Sequence, residues 1–227
     1  MIVYKEILQR SIEWHELKHA KIGGTLSKGL FVKSDTLLNE ILSQKLEDYE
    51  EQHSFISYDM QRGIDLEPFA LAEIEKEIFV TFNQVGFLQS AAIPLLGISP
   101  DGISEDETIQ VEIKCPAAKK HTETICNNEI PNDNIHQVLH AFTVNPKLEQ
   151  MYFVSYRPEN NIKPLWYKML TKDSEINLGT NANPIIKTVA EWVEIARENA
   201  KALNKQINDK LNEMYLLHQK RKQKNYL

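Results

Sequence analysis

The sequence predicts an α/β fold, because segments with the period of a helix occur between segments with the period of a strand. The clearest strand covers residues 108 to 115, where Ile109, Val111 and Ile113 alternate with polar residues. The clearest helix follows Pro184, where apolar residues recur at spacings of three and four. Neither an internal repeat nor a low-complexity linker interrupts the 227 residues, which predicts one domain spanning the whole chain.

Three helices are predicted in the first third of the chain. Ser11 is a candidate N-cap for a helix that runs to about residue 19, and Gly23-Gly24-Thr25 then opens a loop. A second helix is predicted over residues 34 to 48, followed by a polar connection over residues 49 to 58. A third helix is predicted to begin near Arg62 and to run to residue 76. Its buried stripe consists of Leu66, Ala70 and Ile74.

The middle of the chain predicts strands and a hairpin. Residues 79 to 87 are expected to form a strand. Pro100-Asp101-Gly102 is predicted to be the turn of the hairpin whose second strand covers residues 108 to 115, because Pro presets φ and Gly accepts a positive φ. This turn would place Asp101 at the mouth of that strand.

The last part of the chain alternates again between segments with the period of a helix and segments with the period of a strand. Residues 117 to 130 are polar and yield no predicted element. A helix capped by Asp133 or Asn134 is expected next, followed by strands over residues 150 to 156 and 162 to 169 and a loop over 171 to 184. The long helix from about residue 184 carries an apolar stripe that needs a partner surface, either in this domain or in another subunit.

Composition limits the class of protein. No long apolar run or signal-peptide core is present, so we expect neither a membrane span nor export. The two cysteines are too few for a disulfide framework, which favours a reducing cytoplasm. A net charge of −6 argues against a uniformly basic surface for nucleic acid. It does not exclude a nuclease, because metal-binding carboxylates add to the acidic count and phosphate contacts need only be local.

Three polar residues of the predicted hairpin form a candidate catalytic group. Period two places Glu112 and Lys114 on one face of their strand, and Asp101 closes the group if the hairpin forms. The two carboxylates, with the backbone carbonyl of Ile113, are hard oxygen ligands that suit Mg²⁺ or Mn²⁺. Lys114 would then position an attacking water or stabilise charge on a phosphate. The alternative is a surface hairpin with an ordinary Glu–Lys pair.

Other candidate residues lie on the predicted helices and loops. Glu67 lies at the edge of the apolar stripe of its helix, where it either faces a neighbouring site or is exposed to solvent. Gln137 lies on the helix after residue 133. The Gly23-Gly24-Thr25 segment either contacts a phosphate through its N–H groups and hydroxyl or is a simple turn.

Four segments in this order resemble the lambda-exonuclease-type alkaline nucleases, also called YqaJ-like viral recombinase nucleases, of the PD-(D/E)xK superfamily. The resemblance covers roughly residues 9 to 170. The segments are Trp14-His15-Glu16-Leu17-Lys18 with Gly23-Gly24-Thr25; Arg62-Gly63-Ile64-Asp65-Leu66-Glu67; Ser99-Pro100-Asp101-Gly102 with Glu112-Ile113-Lys114-Cys115-Pro116; and His136-Gln137-Val138.

This resemblance implies a central mixed β-sheet flanked by helices, with a restriction-endonuclease-like core, and it implies roles for the candidate residues. Asp101, Glu112 and Glu67 would bind the metal. Lys114 would act on the nucleophilic water, and Gln137 would lie beside the site. Lys18, where the family usually has Arg, and Thr25 would bind the 5′ phosphate of the DNA. Trp14 and Arg62 belong to the same DNA-binding group, and Leu139 stands where the family often has a second Gln.

The resemblance also implies an activity. It implies a Mg²⁺-dependent exonuclease, with Mn²⁺ as a possible substitute, that degrades one strand of linear double-stranded DNA from 5′-phosphorylated ends in the 5′→3′ direction and leaves 3′ overhangs for recombination. A homotrimeric ring around DNA and a single-strand annealing protein as partner are implied too, in the cytoplasm of a bacterium or phage-infected bacterial host. Two alternatives stay open: a PD-(D/E)xK endonuclease, and a catalytically idle module that binds DNA ends.

Overall fold

The computed structural model describes residues 1–32, 35–50 and 57–224, and this part of the chain contains seven helices and nine strands. In chain order they are β1 (Ile2–Tyr4), α1 (Ile12–Lys18), α2 (Lys28–Phe31), α3 (Asp35–Leu46), α4 (Tyr58–Ile78), β2 (Phe87–Gln89), β3 (Gly97–Ile98), β4 (Gly102–Ile103), β5 (Ile109–Lys114), α5 (Ala118–Asn127), α6 (Asn132–Val144), β6 (Gln150–Tyr156), β7 (Leu165–Leu170), β8 (Glu175–Asn177), β9 (Ile186–Thr188) and α7 (Val189–Lys224). The predicted α/β class is confirmed.

A four-stranded mixed sheet with the order β4-β5-β6-β7 lies at the centre of the fold. β5 and β6 pair in parallel, whereas the two outer pairs are antiparallel. Val111 and Ile113 of β5 pack with Ala70 and Ile74 of α4 in one buried cluster. Phe153 of β6 belongs to the larger cluster on the opposite side, together with buried residues of α6 and α7. The mixed sheet flanked by helices, which the family resemblance implied, is therefore present.

The second sheet and the long helix complete the core. The order β1-β2-β3 gives an antiparallel three-stranded sheet, and β8 pairs with β9 in a separate ribbon. In α7, Val193, Ala196, Ala200 and Ile207 are buried at the predicted spacings, whereas the run from 214 to 217 is exposed. None of the helices in the described ranges combines the length and the apolar character that crossing a bilayer requires.

The predicted hairpin exists, but its turn is not at the Pro-Asp-Gly step. β4 and β5 reverse direction over residues 104 to 108, where Ile109 donates its N–H to Ser104 Oγ (2.9 Å) and Glu107 has a φ of 68°. Pro100-Asp101-Gly102 instead carries the chain from β3 in one sheet to β4 in the next. Gly102 is needed for space and not for a positive φ, since a Cβ there would lie 2.9 Å from Val111 Cγ1.

Several other predictions about elements were wrong. The expected strand over residues 79 to 87 is absent from the described structure, because α4 continues to Ile78 and Phe79 takes a left-handed backbone with a φ of 56°. α4 begins at Tyr58 and not near Arg62, because Ser57 Oγ accepts from Met60 N and caps the helix. The unassigned segment 117–130 contains α5, and the expected loop over 171 to 184 contains β8.

Two predicted boundaries cannot be compared with the fold. The expected start of the second helix at Ser34 and most of the predicted polar connection over 49 to 58 fall on residues 33–34 and 51–56, outside the described residues. The helix itself is present as α3, and Ser11 caps α1 as predicted by accepting from Trp14 N (3.2 Å).

Candidate active site

Asp101, Glu112 and Lys114 converge at one end of the central sheet, as the strand period predicted. Asp101 Oδ2 accepts a hydrogen bond from Ile113 N (2.6 Å), and Asp101 N donates to Val111 O (3.3 Å), so the aspartate is fixed against β5. Lys114 Nζ lies 2.5 Å from Glu112 Oε1. The alternative of an exposed surface pair is excluded, because the side chain of Glu112 is only 2% exposed.

The electrostatics of this group are those of crowded carboxylates. Burial raises the pKa of Asp101 well above its ordinary value, and the neighbouring charges of Glu112 and Glu67 raise it further, whereas Lys114 and the Ile113 N–H act in the opposite direction. Burial by itself would lower the pKa of Lys114, but the carboxylates of Glu112 and Asp101 outweigh it and the net shift is upward. One ammonium therefore faces two buried carboxyl groups.

Glu67 lies close enough to influence this group but is engaged elsewhere. It influences the pKa values of both Asp101 and Lys114, yet its Oε2 accepts from Arg10 Nη2 at 2.9 Å. Accordingly, among residues 1–32, 35–50 and 57–224, no three His, Cys, Asp or Glu side chains are arranged to hold one metal ion. Two of the predicted carboxylates are thus assembled, and the third is held nearby by an arginine.

The donor set fits a hard divalent cation. Glu112 Oε2 is buried and has no hydrogen-bond partner within the described part of the chain, which is a costly state for a carboxylate oxygen. A cation beside Asp101 and Glu112 would satisfy that oxygen and offset the repulsion between the two carboxylates. The N–H of Ile113 is bound to Asp101, and its carbonyl stays a predicted ligand.

Gln137 lies beside the glycine-rich segment of the first motif. A Cβ on Gly24 would lie 2.8 Å from Gln137 Cγ, so the absence of a side chain at residue 24 allows α6 to approach. Ser27, which is fully buried, ties the same segment to α6 by donating to Gly24 O (2.6 Å) and His136 O (3.1 Å). The structure therefore brings together two motifs that are more than a hundred residues apart in the sequence. Nothing in the sequence indicated this contact.

Lys18 and Trp14 form the second polar group. The Trp14 indole N–H donates to Gly86 O (3.0 Å) and Ser99 Oγ (2.8 Å), which fixes the ring, and Lys18 Nζ lies 3.5 Å from the ring centroid. Burial lowers the pKa of Lys18 to about 8. Within the described residues no carboxylate lies within ion-pair distance of Lys18, so this half-buried cation has an aromatic face but no direct ion-pair partner. The cleft that it lines also carries the acidic residues Glu40, Glu47, Asp48 and Glu50.

The structure does not group Thr25 and Arg62 with Lys18. Thr25 lines a different cavity, and Arg62 is hydrogen-bonded to other residues. Lys18 lines a cleft of about 870 Å³, whereas Thr25 lines a neighbouring groove of about 370 Å³, and Glu40 lines both. Arg62 donates to Cys115 O (3.0 Å) and to Glu159 Oε2 (2.7 Å), so it ties α4 to the end of β5. A phosphate-binding role for either residue stays a prediction.

Comparisons with known proteins place this geometry in a family. Residues 13–148 match the profile of the YqaJ-like viral recombinase domain. No curated protein matches the chain. The fold is similar to that of an alkaline exonuclease from Laribacter hongkongensis, with a TM-score of 0.72, 23% sequence identity, and coverage of 92% of this chain and 99% of that one.

A second solved structure shares the fold at lower similarity. A phage-related exonuclease from Haemophilus somnus 129PT matches with a TM-score of 0.56 and 12% identity over 88% of this chain and 99% of that one. At these identities the likeness establishes the fold alone, whereas the domain profile covers more than half of the sequence. The chain therefore belongs to the YqaJ-like viral recombinase domain family, as the four motifs predicted.

Proposed function

We propose that the protein is a metal-dependent exonuclease that degrades one strand of linear double-stranded DNA from 5′-phosphorylated ends in the 5′→3′ direction. The product would be a duplex with 3′ single-stranded overhangs, suited to recombination. The observation that carries the proposal is the convergence of Asp101, Lys114 and the buried Glu112, one of whose carboxylate oxygens has no partner within the described residues. Membership of the recombinase family and the similarity in fold to exonucleases support it.

Asp101 and Glu112 would hold the divalent cation, Mg²⁺ or Mn²⁺, with Glu67 and the Ile113 carbonyl as further ligands. When bound, such a cation polarises the phosphodiester and lowers the pKa of a coordinated water. Lys114, whose pKa is raised by Glu112 and Asp101, stays protonated at neutral pH. Its ammonium would orient the attacking water and stabilise charge on the phosphate oxygens. Gln137 would complete the wall of the site next to Gly24.

Lys18, held on the face of Trp14, would bind the 5′-terminal phosphate, and Thr25 would contact it from the neighbouring groove. A half-buried ammonium that forms no direct ion pair can receive an anion, because binding restores part of the solvation that the cation lost on folding. Holding the terminal phosphate at a fixed distance from the carboxylates would set the position of the cut bond. Arg62 would support the DNA near the end of β5.

A homotrimeric ring would explain how a protein with a net charge of −6 keeps hold of a polyanion. Encirclement replaces part of the electrostatic attraction, so the length degraded per binding event would depend only weakly on salt. Run length on long duplexes, measured against ionic strength, tests this. A run length that fell as steeply with salt as the binding constant would exclude encirclement. A single-strand annealing protein would then take up the 3′ overhang.

The primary test is cleavage of an end-labelled linear duplex by the wild type and by Lys114→Ala. We expect mononucleotide release from 5′-phosphorylated ends with Mg²⁺, none with EDTA, and none from Lys114→Ala at unchanged DNA affinity. Lys147→Ala is the matched control, because Lys147 pairs with Glu107 (2.9 Å) on the surface. This variant should cleave DNA at the wild-type rate. Near-normal turnover by Lys114→Ala would refute the assignment.

The same substrates separate the alternatives. Cleavage of covalently closed circular DNA would indicate an endonuclease on the same core, whereas strict dependence on a free end supports the exonuclease. Binding of ends without metal-dependent cleavage by the wild type would indicate an idle end-binding module. The intact set of Asp101, Glu112 and Lys114 argues against that last outcome.

A further inference from the structure

Arg10 takes a backbone conformation that is unfavourable for its residue type. Its φ is 70°, in the left-handed region that glycine favours. The flanking residues fix it there. Gln9 Nε2 donates to Val85 O and to Pro100 O, both at 2.9 Å, and Ser11 caps α1. The chain therefore holds Arg10 at one place in a strained backbone conformation.

That place is linked to both polar groups of the candidate site. Gln9 is hydrogen-bonded to the segment that carries Asp101, and the helix that begins after Ser11 carries Trp14 and Lys18. The guanidinium of Arg10 reaches Glu67 of α4 (2.9 Å). Arg10 is therefore tied, through the chain or through hydrogen bonds, to both groups that the proposed function assigns to the DNA.

The contact between Arg10 and Glu67 is easily exchanged. The side chain of Arg10 is 47% exposed and that of Glu67 is 19% exposed, and ion pairs with such access to solvent contribute little to stability. Only Nη2 of Arg10 is engaged within the described residues, which leaves the rest of the planar donor fork for another acceptor. A phosphate is the acceptor whose geometry matches that fork.

We propose that Arg10 binds a backbone phosphate of the DNA strand that is degraded, and that it exchanges Glu67 for that phosphate. The exchange frees Glu67 to face the carboxylate group at the moment when DNA arrives. This inference rests on the proposed function and adds a DNA contact to it. The ion pair with Glu67 is then the resting arrangement of the site in the free protein.

The test compares Arg10→Gly with the wild type in binding a 5′-phosphorylated linear duplex, with Ca²⁺ in place of Mg²⁺ and the DNA checked for integrity. Glycine suits a φ of 70°, so this variant removes the side chain and relieves the backbone, and its melting temperature should not fall. We expect roughly tenfold weaker binding. The slope of log K against log salt should fall by about 0.9, the contribution of one phosphate contact.

Two further variants complete the test. Arg10→Lys should restore the salt slope, because it keeps the charge, while recovering only part of the affinity. Lys147→Ala removes a comparably exposed cation from its carboxylate partner and should change neither quantity. An unchanged slope in Arg10→Gly, or an equal fall in Lys147→Ala, would overturn the inference. Failure of the wild type itself to bind or cleave DNA would instead refute the proposed function.

Discussion

Raising the pH should abolish much of the preference for a 5′-phosphorylated end, because the pKa of Lys18 is lowered to about 8 by burial. With that pKa, about 90% of Lys18 is charged near pH 7 and about 10% near pH 9. The terminal phosphate has its second pKa near 6 and stays a dianion throughout. If only the ammonium form binds it, the affinity due to the phosphate falls about tenfold, or about 1.4 kcal/mol.

The assay is the ratio of binding constants for duplexes with a 5′ phosphate and with a 5′ hydroxyl, measured with Ca²⁺ at several pH values. The ratio cancels the effects of pH on folding and on contacts with the rest of the DNA. Lys18→Arg should keep a constant ratio, because the guanidinium stays charged in this range. Lys18→Met should show little preference at any pH.

Two results would contradict this reasoning. A wild-type ratio that stays constant from about pH 7 to about pH 9 would mean that Lys18 is not the group that binds the phosphate, or that its ammonium is not destabilised by burial. A ratio that falls equally in Lys18→Arg would assign the pH dependence to another group. Either result would leave the catalytic assignment of the carboxylates intact.

Three other perturbations should have measurable outcomes. Gly24→Ala should slow single-turnover cleavage at least tenfold, because a Cβ would lie 2.8 Å from Gln137 Cγ and displace that side chain. Gly23→Ala is the control, since nothing lies within 4 Å of a Cβ there. Equal rates for the two variants would contradict a role for the position of Gln137. His140 is fully buried and its pKa is lowered to about 4. The free energy of unfolding should therefore fall by roughly 3 kcal/mol between pH 6.5 and pH 4, because the unfolded chain binds the proton first. Urea titrations of His140→Gln should show a smaller fall over the same pH range. Asp101→Asn should raise the melting temperature in EDTA by a few degrees, because it removes the repulsion from Glu112. Mn²⁺ should raise the melting temperature of the wild type but not that of this variant.

The elements that the sequence predicted correctly are those with a long, regular pattern. The strand over residues 150 to 156 alternates between two buried clusters and was placed at its observed bounds. The expected strand over residues 79 to 87 shows the opposite case. Its β-branched and aromatic residues favour a strand locally, but α4 continues through residue 78 and the chain then bends at Phe79. Tertiary packing decided the conformation there, and propensity did not.

The candidate catalytic group was predictable for a different reason. The period of β5 fixes Glu112 and Lys114 on one face whatever the rest of the chain does, so their proximity follows from local structure alone. Asp101 joins them although the predicted turn was wrong, because its segment pairs with β5 in either case. The contact between Gly24 and Gln137 and that between Arg10 and Glu67 depend on the packing of separate elements, and single-sequence patterns carry no signal for such contacts.

Local rules of stability are broken at several places in the described residues, and three of these places involve residues of the candidate site. Within the described residues, Glu112 has a buried oxygen without a partner, Lys18 is a half-buried cation without a direct ion pair, and Arg10 has a left-handed backbone. Each is a local cost that the fold must offset elsewhere, and such costs concentrate at functional sites. A cation would bind the free oxygen of Glu112, and the terminal phosphate would pair with Lys18. An inner phosphate of the strand would bind the guanidinium that the backbone of Arg10 holds in place. One strand of DNA with its metal would satisfy all three requirements together, which no separate explanation of each residue achieves.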